Sequence, residues 1–164
     1  KDDLGVFAPF VEETLRRFRF LIRDFGFEHS ETTVISYECS VDFRKDGKVA
    51  VSVECEAGSL PGVMLTGRFD DGGRDRSEER ALDYVIQHRC PERHLEIKSE
   101  FPSADEDVKR LLRHYASALR DCAPDFLRGD PSVIREARGA ATRFKRWRSE
   151  LRREQQQAAS TKKR

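Results

Sequence analysis

His88, Cys90 and His94 are the nearest this chain comes to a set of metal ligands. A structural zinc site takes its cysteines and histidines as closely spaced pairs, each delivered by one turn, and the sequence holds no Cys-x-x-Cys. The three residues read as a surface group around Pro91, and no metal site is expected. His94-Leu95-Glu96 carries the His-x-Glu of nucleotide deaminases, but the Pro-Cys-x-x-Cys that completes their zinc site is missing. Gly62 and Gly67 have the glycine spacing of a phosphate-binding loop, yet Arg68 and Phe69 stand where the lysine and hydroxyl are required. No Gly-x-Ser-x-Gly occurs, and Cys39 and Cys55 fall at apolar positions where a thiol is inert packing. No cofactor and no catalytic residue are expected.

What remains is charge. Lys and Arg total 31 against 30 Asp and Glu, so the whole-chain balance points to no particular class of partner. Its distribution is more informative, because residues 131–164 hold eleven Lys or Arg against three Glu, a net +8 that leaves about −7 on residues 1–130. Arg138, Lys145, Arg146, Arg148, Arg152 and Arg153 could follow a phosphate backbone, and such binding would weaken steeply with salt. The same arginines equally suit a helix that complements the negative remainder of the chain. Glu38, Glu54 and Glu56, with Asp70 and Asp71, are the acidic candidates for contact with another protein.

These groups need a frame, and hydrophobic spacing supplies one. Phe7, Phe10, Val11, Leu15, Phe18, Leu21, Ile22 and Phe25 recur at the three-and-four spacing of a helix that Gly26 stops. Thr33, Ile35, Tyr37, Cys39, Val41 and Phe43 alternate with Val34, Ser36, Glu38, Ser40, Asp42 and Arg44, which predicts one long strand with one wet face. Val49, Val51, Val53 and Cys55 keep the odd set on a second strand. Opposed residues of an antiparallel pair share a face, so the turn must preserve parity. A three-residue loop, Lys45 to Gly47, does so and sets Phe43 opposite Val49 and Cys39 opposite Val53, with Cys39 and Cys55 diagonal and unbridged.

A third strand is expected at Val63–Phe69, followed by a mobile polar loop from Asp70 to Arg76. Ser77 is placed to cap a short helix carrying Ala81, Leu82, Val85 and Ile86, and Leu95, Ile97 and Phe101 suggest a fourth strand. Ser103 and Glu106 form the pattern of a capping box ahead of the stripe Val108, Leu111, Leu112, Tyr115, Leu119 and Cys122. Gly129-Asp130-Pro131 opens a last helix with the seam Val133, Ala137, Ala140, Phe144, Trp147 and Leu151. The expected fold is one α+β domain over residues 1–154, in the order α-β-β-β-α-β-α-α. Its antiparallel sheet of three or four strands is packed by the first and last helices, and residues 155–164 form a disordered basic tail.

Arg23-Asp24-Phe25-Gly26-Phe27, Tyr115 to Arg120 and Phe126 to Asp130 give residues 7–135 a resemblance to small bacterial α+β proteins without assigned activity. Small acidic proteins of that kind include immunity proteins that neutralise toxins, so the resemblance implies binding rather than catalysis. The expectation is a cytoplasmic, non-catalytic protein-interaction module, an immunity or regulatory protein binding another protein, with no membrane contact. The alternative is a nucleic-acid-binding protein using the basic helix 131–154; self-association through that helix would use its apolar seam.

Overall fold

The computed structural model describes residues 4–161. A 3-10 turn at Gly5–Phe7 leads into helices α1 (Ala8–Arg17) and α2 (Arg19–Phe25). Strands β1 (Glu28–Ile35), β2 (Glu38–Lys45), β3 (Val49–Glu56), β4 (Gly62–Asp71) and β5 (Arg74–Ala81) follow. Then come α3 (Leu82–Arg89), a 3-10 turn at Pro91–Arg93, α4 (Asp105–Cys122), α5 (Pro124–Leu127), α6 (Ser132–Glu136) and α7 (Ala140–Thr161). The class is α+β as expected. The sheet, however, has five strands in one antiparallel meander, β1-β2-β3-β4-β5, with no helix inserted among them.

The extra strands come from two misread segments. The alternation from Thr33 to Phe43 is a hairpin rather than one strand: Ser36, at φ 56°, and Tyr37 turn the chain back, placing Ile35 opposite Glu38 and Val34 opposite Cys39. Opposed residues share a face, so this turn exchanges the parity of β1. Thr32 and Val34 take the side of Cys39 and Val41, while Thr33 and Ile35 join Glu38 and Ser40 outside. Ile35 and Tyr37 are accordingly 66% and 64% exposed. Asp70 to Arg76 is likewise no mobile loop, because Gly72 and Gly73, at φ 65° and 83°, close a tight turn with Asp71 opposite Arg74. Ser77 lies within β5 and caps nothing. An edge strand reading Arg-Asp-Arg-Ser-Glu-Glu-Arg-Ala buries little apolar surface, so periodicity gives no sign of it.

Between β2 and β3 the expected parity holds and the register moves by two. The loop is Asp46-Gly47-Lys48, with left-handed Asp46 and Gly47, so Phe43 opposes Val51, Val41 opposes Val53 and Cys39 directly opposes Cys55. The odd side chains of these strands are the sheet's buried face: Val41, Phe43, Val51 and Val53 are 0–1% exposed. Helices α1 and α2 cover this face at β1 and β2, and α3 and α6 cover it at β4 and β5. Phe18, at the break between α1 and α2, stacks on Phe43 with centroids 6.3 Å apart. Left-handed Gly26 ends α2 and turns Phe27 back, where it is 2% exposed.

Three further helix readings change. Helix α4 begins at Asp105 with Ala104 as its uncapped first boundary, so Ser103 and Glu106 form no capping box; three acids in the first turn face the helix dipole instead. Leu95–Phe101 has no ladder partner, although Leu95 and Ile97 pack on the core. Asp130 does receive the Ser132 N–H at 3.0 Å, but the helix it opens is short, and left-handed Gly139 separates α6 from α7. Residues 155–161, expected as a frayed tail, continue α7 with every side chain exposed, and the rest of that tail lies outside the described residues. No helix among the described residues is long and apolar enough to cross a membrane.

Gly67 marks where the helical layer comes closest to the sheet. A Cβ there would lie 2.5 Å from Pro131 Cβ and 2.8 Å from Ile134 Cδ1, well inside contact distance. Gly67→Ala is therefore expected to destabilise the fold by about 1–3 kcal/mol, the ordinary cost of overpacking, measurable as a lower urea midpoint at unchanged slope.

Candidate protein-binding face

Among the described residues no helix covers the side of the sheet opposite the helical layer. Register places Thr33 and Ile35 of β1, Glu38, Ser40 and Asp42 of β2, and Ser52, Glu54 and Glu56 of β3 on it, together with Met64 and Thr66 of β4 and Glu79 of β5. Two hollows lie along this side. One of about 580 Å³ lies over the ends of β1–β3, lined by Glu38, Glu54 and Glu56 together with Ile35 and Leu60. The other, about 450 Å³, is lined by the acids Asp42, Glu54 and Glu79 and the cations Arg44, Lys48 and Arg68, with Arg44 and Glu79 on one cross-strand rung. Glu54 belongs to both and joins them into one trough.

The electrostatics of the trough are unfavourable to the protein by itself. Glu38 and Glu56 are direct cross-strand partners, an arrangement that destabilises a sheet when the charges are alike. Among the described residues, Glu38, Asp42, Glu54, Glu56 and Glu79 have no ion-pair partner. Glu54 is held above the usual carboxylate range: desolvation in the trough is the largest cause, and Asp42, Glu79 and Glu38 add to it against one hydrogen bond from Ser52. Because its proton is bound more tightly folded than unfolded, Glu54 favours the fold fully only below its unfolded pKa, and that contribution is lost as pH rises through the folded value. Glu54→Gln should consequently melt higher than the parent at pH 7, with the gap closing as the pH is lowered to about 4.

The other acidic candidates lie elsewhere. Asp71 is nine residues along β4 from Gly62, about 30 Å at the ordinary strand rise, and its carboxylate receives Arg135 at 2.8 and 2.6 Å. Those hydrogen bonds hold it below the usual carboxylate range, and Arg135 also covers Phe69 at 3.8 Å. Asp70 accepts the Gly73 N–H at 2.8 Å and shapes the β4–β5 turn. The structure thus gathers Glu38, Glu54 and Glu56 and separates Asp70 and Asp71 from them. Asp42 and Glu79 add negative charge around Glu54. Asp42 sits at an even position of the same alternation and was legible; Glu79 was hidden with β5.

The basic candidates divide in the same way. Arg138 pairs with Glu78 at 2.9 Å, and Arg148 pairs with Glu96 at 3.1 Å while lying over Phe144. Lys145, Arg146, Arg152 and Arg153 are exposed on α7 and have no ion partner among the described residues. Of the expected seam, Ala140 and Phe144 are buried and Trp147 stacks on Phe144 at 5.6 Å, but Leu151 is 38% exposed. The helix therefore docks by its first turns and leaves the remainder in water.

His88, Cys90 and His94 are each engaged locally. His88 accepts a contact from Arg143 at 3.2 Å, and burial, followed by that guanidinium, lowers its pKa. His94 packs edge-on against Phe144 at 4.7 Å with Nε2 3.3 Å from Glu96. Among the described residues no three His, Cys, Asp or Glu side chains gather as metal ligands. All four cysteines are free thiols; burial raises Cys39 and pushes Cys55 up to about 11. Comparison of the chain with family models, with curated proteins and with solved structures found no match.

Proposed function

We propose that this chain is a non-catalytic protein-interaction module whose bare sheet face binds a partner protein through that partner's lysine and arginine side chains. The observation that carries this reading is the directly opposed Glu38–Glu56 pair, with Glu54 beside it, on a face that no helix among the described residues covers. Like charges held together without a counter-ion lower stability, and a cationic partner offsets that cost on docking. Ile35 and Leu60 beside the carboxylates suit the aliphatic stems of Lys and Arg. An immunity protein capping a basic toxin would use a face of this kind.

A photo-crosslinking residue in place of Ser52 tests the reading, with the same residue at Arg113 on the exposed side of α4 as control. The expected result is a basic protein captured from Ser52 only, and lost when Glu38, Glu54 and Glu56 are all changed to Gln. Capture from Arg113 alone, or capture that survives neutralisation, would contradict it.

The four unpartnered cations of α7 favour a second reading, nucleic-acid binding by the exposed part of that helix. If they neutralise four phosphates, affinity for duplex DNA should fall roughly hundredfold between 50 and 200 mM salt. Fluorescence anisotropy across that range checks it, and a flat response removes the reading.

A further inference from the structure

We infer that the outer sheet face of one copy of this chain takes the exposed length of α7 from a second copy, so that the protein associates with itself head to tail. The inference rests on the reading of that face as a surface for cationic side chains, and it names an occupant that the chain itself supplies.

The helix is built to reach beyond its own domain. From Ser149 to Thr161 every side chain of α7 is exposed, over about 20 Å of helix. The hydrogen bonds of Ser149, Ser160 and Thr161 stay within the helix, on the carbonyls one turn earlier. Residues 145–164 carry eight Lys or Arg against two Glu. Lys145, Arg146, Arg152 and Arg153 recur at i, i+1, i+7 and i+8, which puts four cations on one stripe of the helix. They have no ion partner among the described residues. Phe144 and Trp147 lie on the other side of α7, where Phe144 meets His94 and docks the first turns on the domain.

The sheet face offers the matching charges. Glu38, Glu54 and Glu56 line the first hollow, and no Lys or Arg among the described residues lines it with them. Asp42 continues the acids along β2, four residues or about 13 Å of strand from Glu38. Lys145 to Arg153 covers eight residues, about 12 Å of helix, so the two stripes agree in length. Each copy carries only +1 overall, divided as about −7 on residues 1–130 and +8 on residues 131–164. Two copies therefore bring no large net repulsion, and the arrangement that pairs opposite charges sets the end of one against the face of the other.

Sedimentation velocity of the full chain and two full-length variants tests this. The weight-average mass of the parent should rise with concentration at about 0.05 M salt and return to that of the monomer at about 0.5 M. Changing Lys145, Arg146, Arg152 and Arg153 to Glu makes the helix acidic, and changing Glu38, Glu54 and Glu56 to Lys makes the face basic. Either variant alone should associate roughly hundredfold more weakly than the parent. An equimolar mixture of the two should regain the association, because the acidic helix of one meets the basic face of the other while the unaltered helix meets the unaltered face. Recovery on mixing also shows that both variants are folded. A parent that stays monomeric, association that either variant leaves unchanged, or a mixture that stays monomeric although both variants melt like the parent would overturn the proposal. A monomeric parent whose face still binds a lysine-rich peptide would overturn the self-association and leave the reading of the face standing.

Discussion

Phe43→Ala is expected to lower the unfolding free energy by about 3–5 kcal/mol, whereas Ile35→Ala and Tyr37→Ala should each change it by less than about 0.5 kcal/mol. All three are large apolar residues at odd positions of one alternating stretch, and by pattern alone they are equivalent. The Ser36–Tyr37 turn separates them. Phe43 is 0% exposed and stacks on Phe18, so its removal opens a cavity where the helical layer meets the sheet. Ile35 and Tyr37 lie outside the core and leave no cavity behind. Urea unfolding at constant slope measures all three. Equal losses would mean that β1 runs on into β2 with one parity.

Neutralising Glu38, Glu54 and Glu56 together to Gln should move binding and stability in opposite directions. Affinity for a basic partner should fall roughly hundredfold, taking about 1 kcal/mol for each charged contact at a partly desolvated interface. The fold itself should gain several tenths of a kcal/mol, since the cross-strand repulsion between Glu38 and Glu56 disappears and Glu54 no longer has to ionise in the trough. A purely structural role for these carboxylates predicts the reverse, a loss of stability. Titration calorimetry and thermal melting of the one variant separate the two accounts.

Parity between Cys39 and Cys55 was legible because β2 and β3 each carry a one-sided apolar face, and a register shift of two leaves every side chain on its own side. For the same reason the sequence alone assigns Glu38, Glu54 and Glu56 to one surface. Strand β5 was not legible, since its ladder to β4 and the ion pairs of Glu78 with Arg135 and Arg138 leave no mark on hydropathy. The turn at Ser36 was hidden as well: Thr33, Ile35 and Tyr37 keep the alternation intact through a hairpin that contains no glycine. The capping-box pattern at Ser103 shows the converse, a local motif that the tertiary structure leaves unused when Ser103 N–H instead donates to Gly58.

If the outer side of the sheet is a surface for cationic side chains, amide chemical shifts report on it residue by residue. A short peptide alternating lysine and valine, titrated into isotope-labelled protein at low salt, should give saturable shifts at Ser40, Ser52, Glu54 and Thr66 that vanish in the triple Gln variant. Shifts confined to α4 and α7, or no saturable change anywhere on β2–β4, would contradict it.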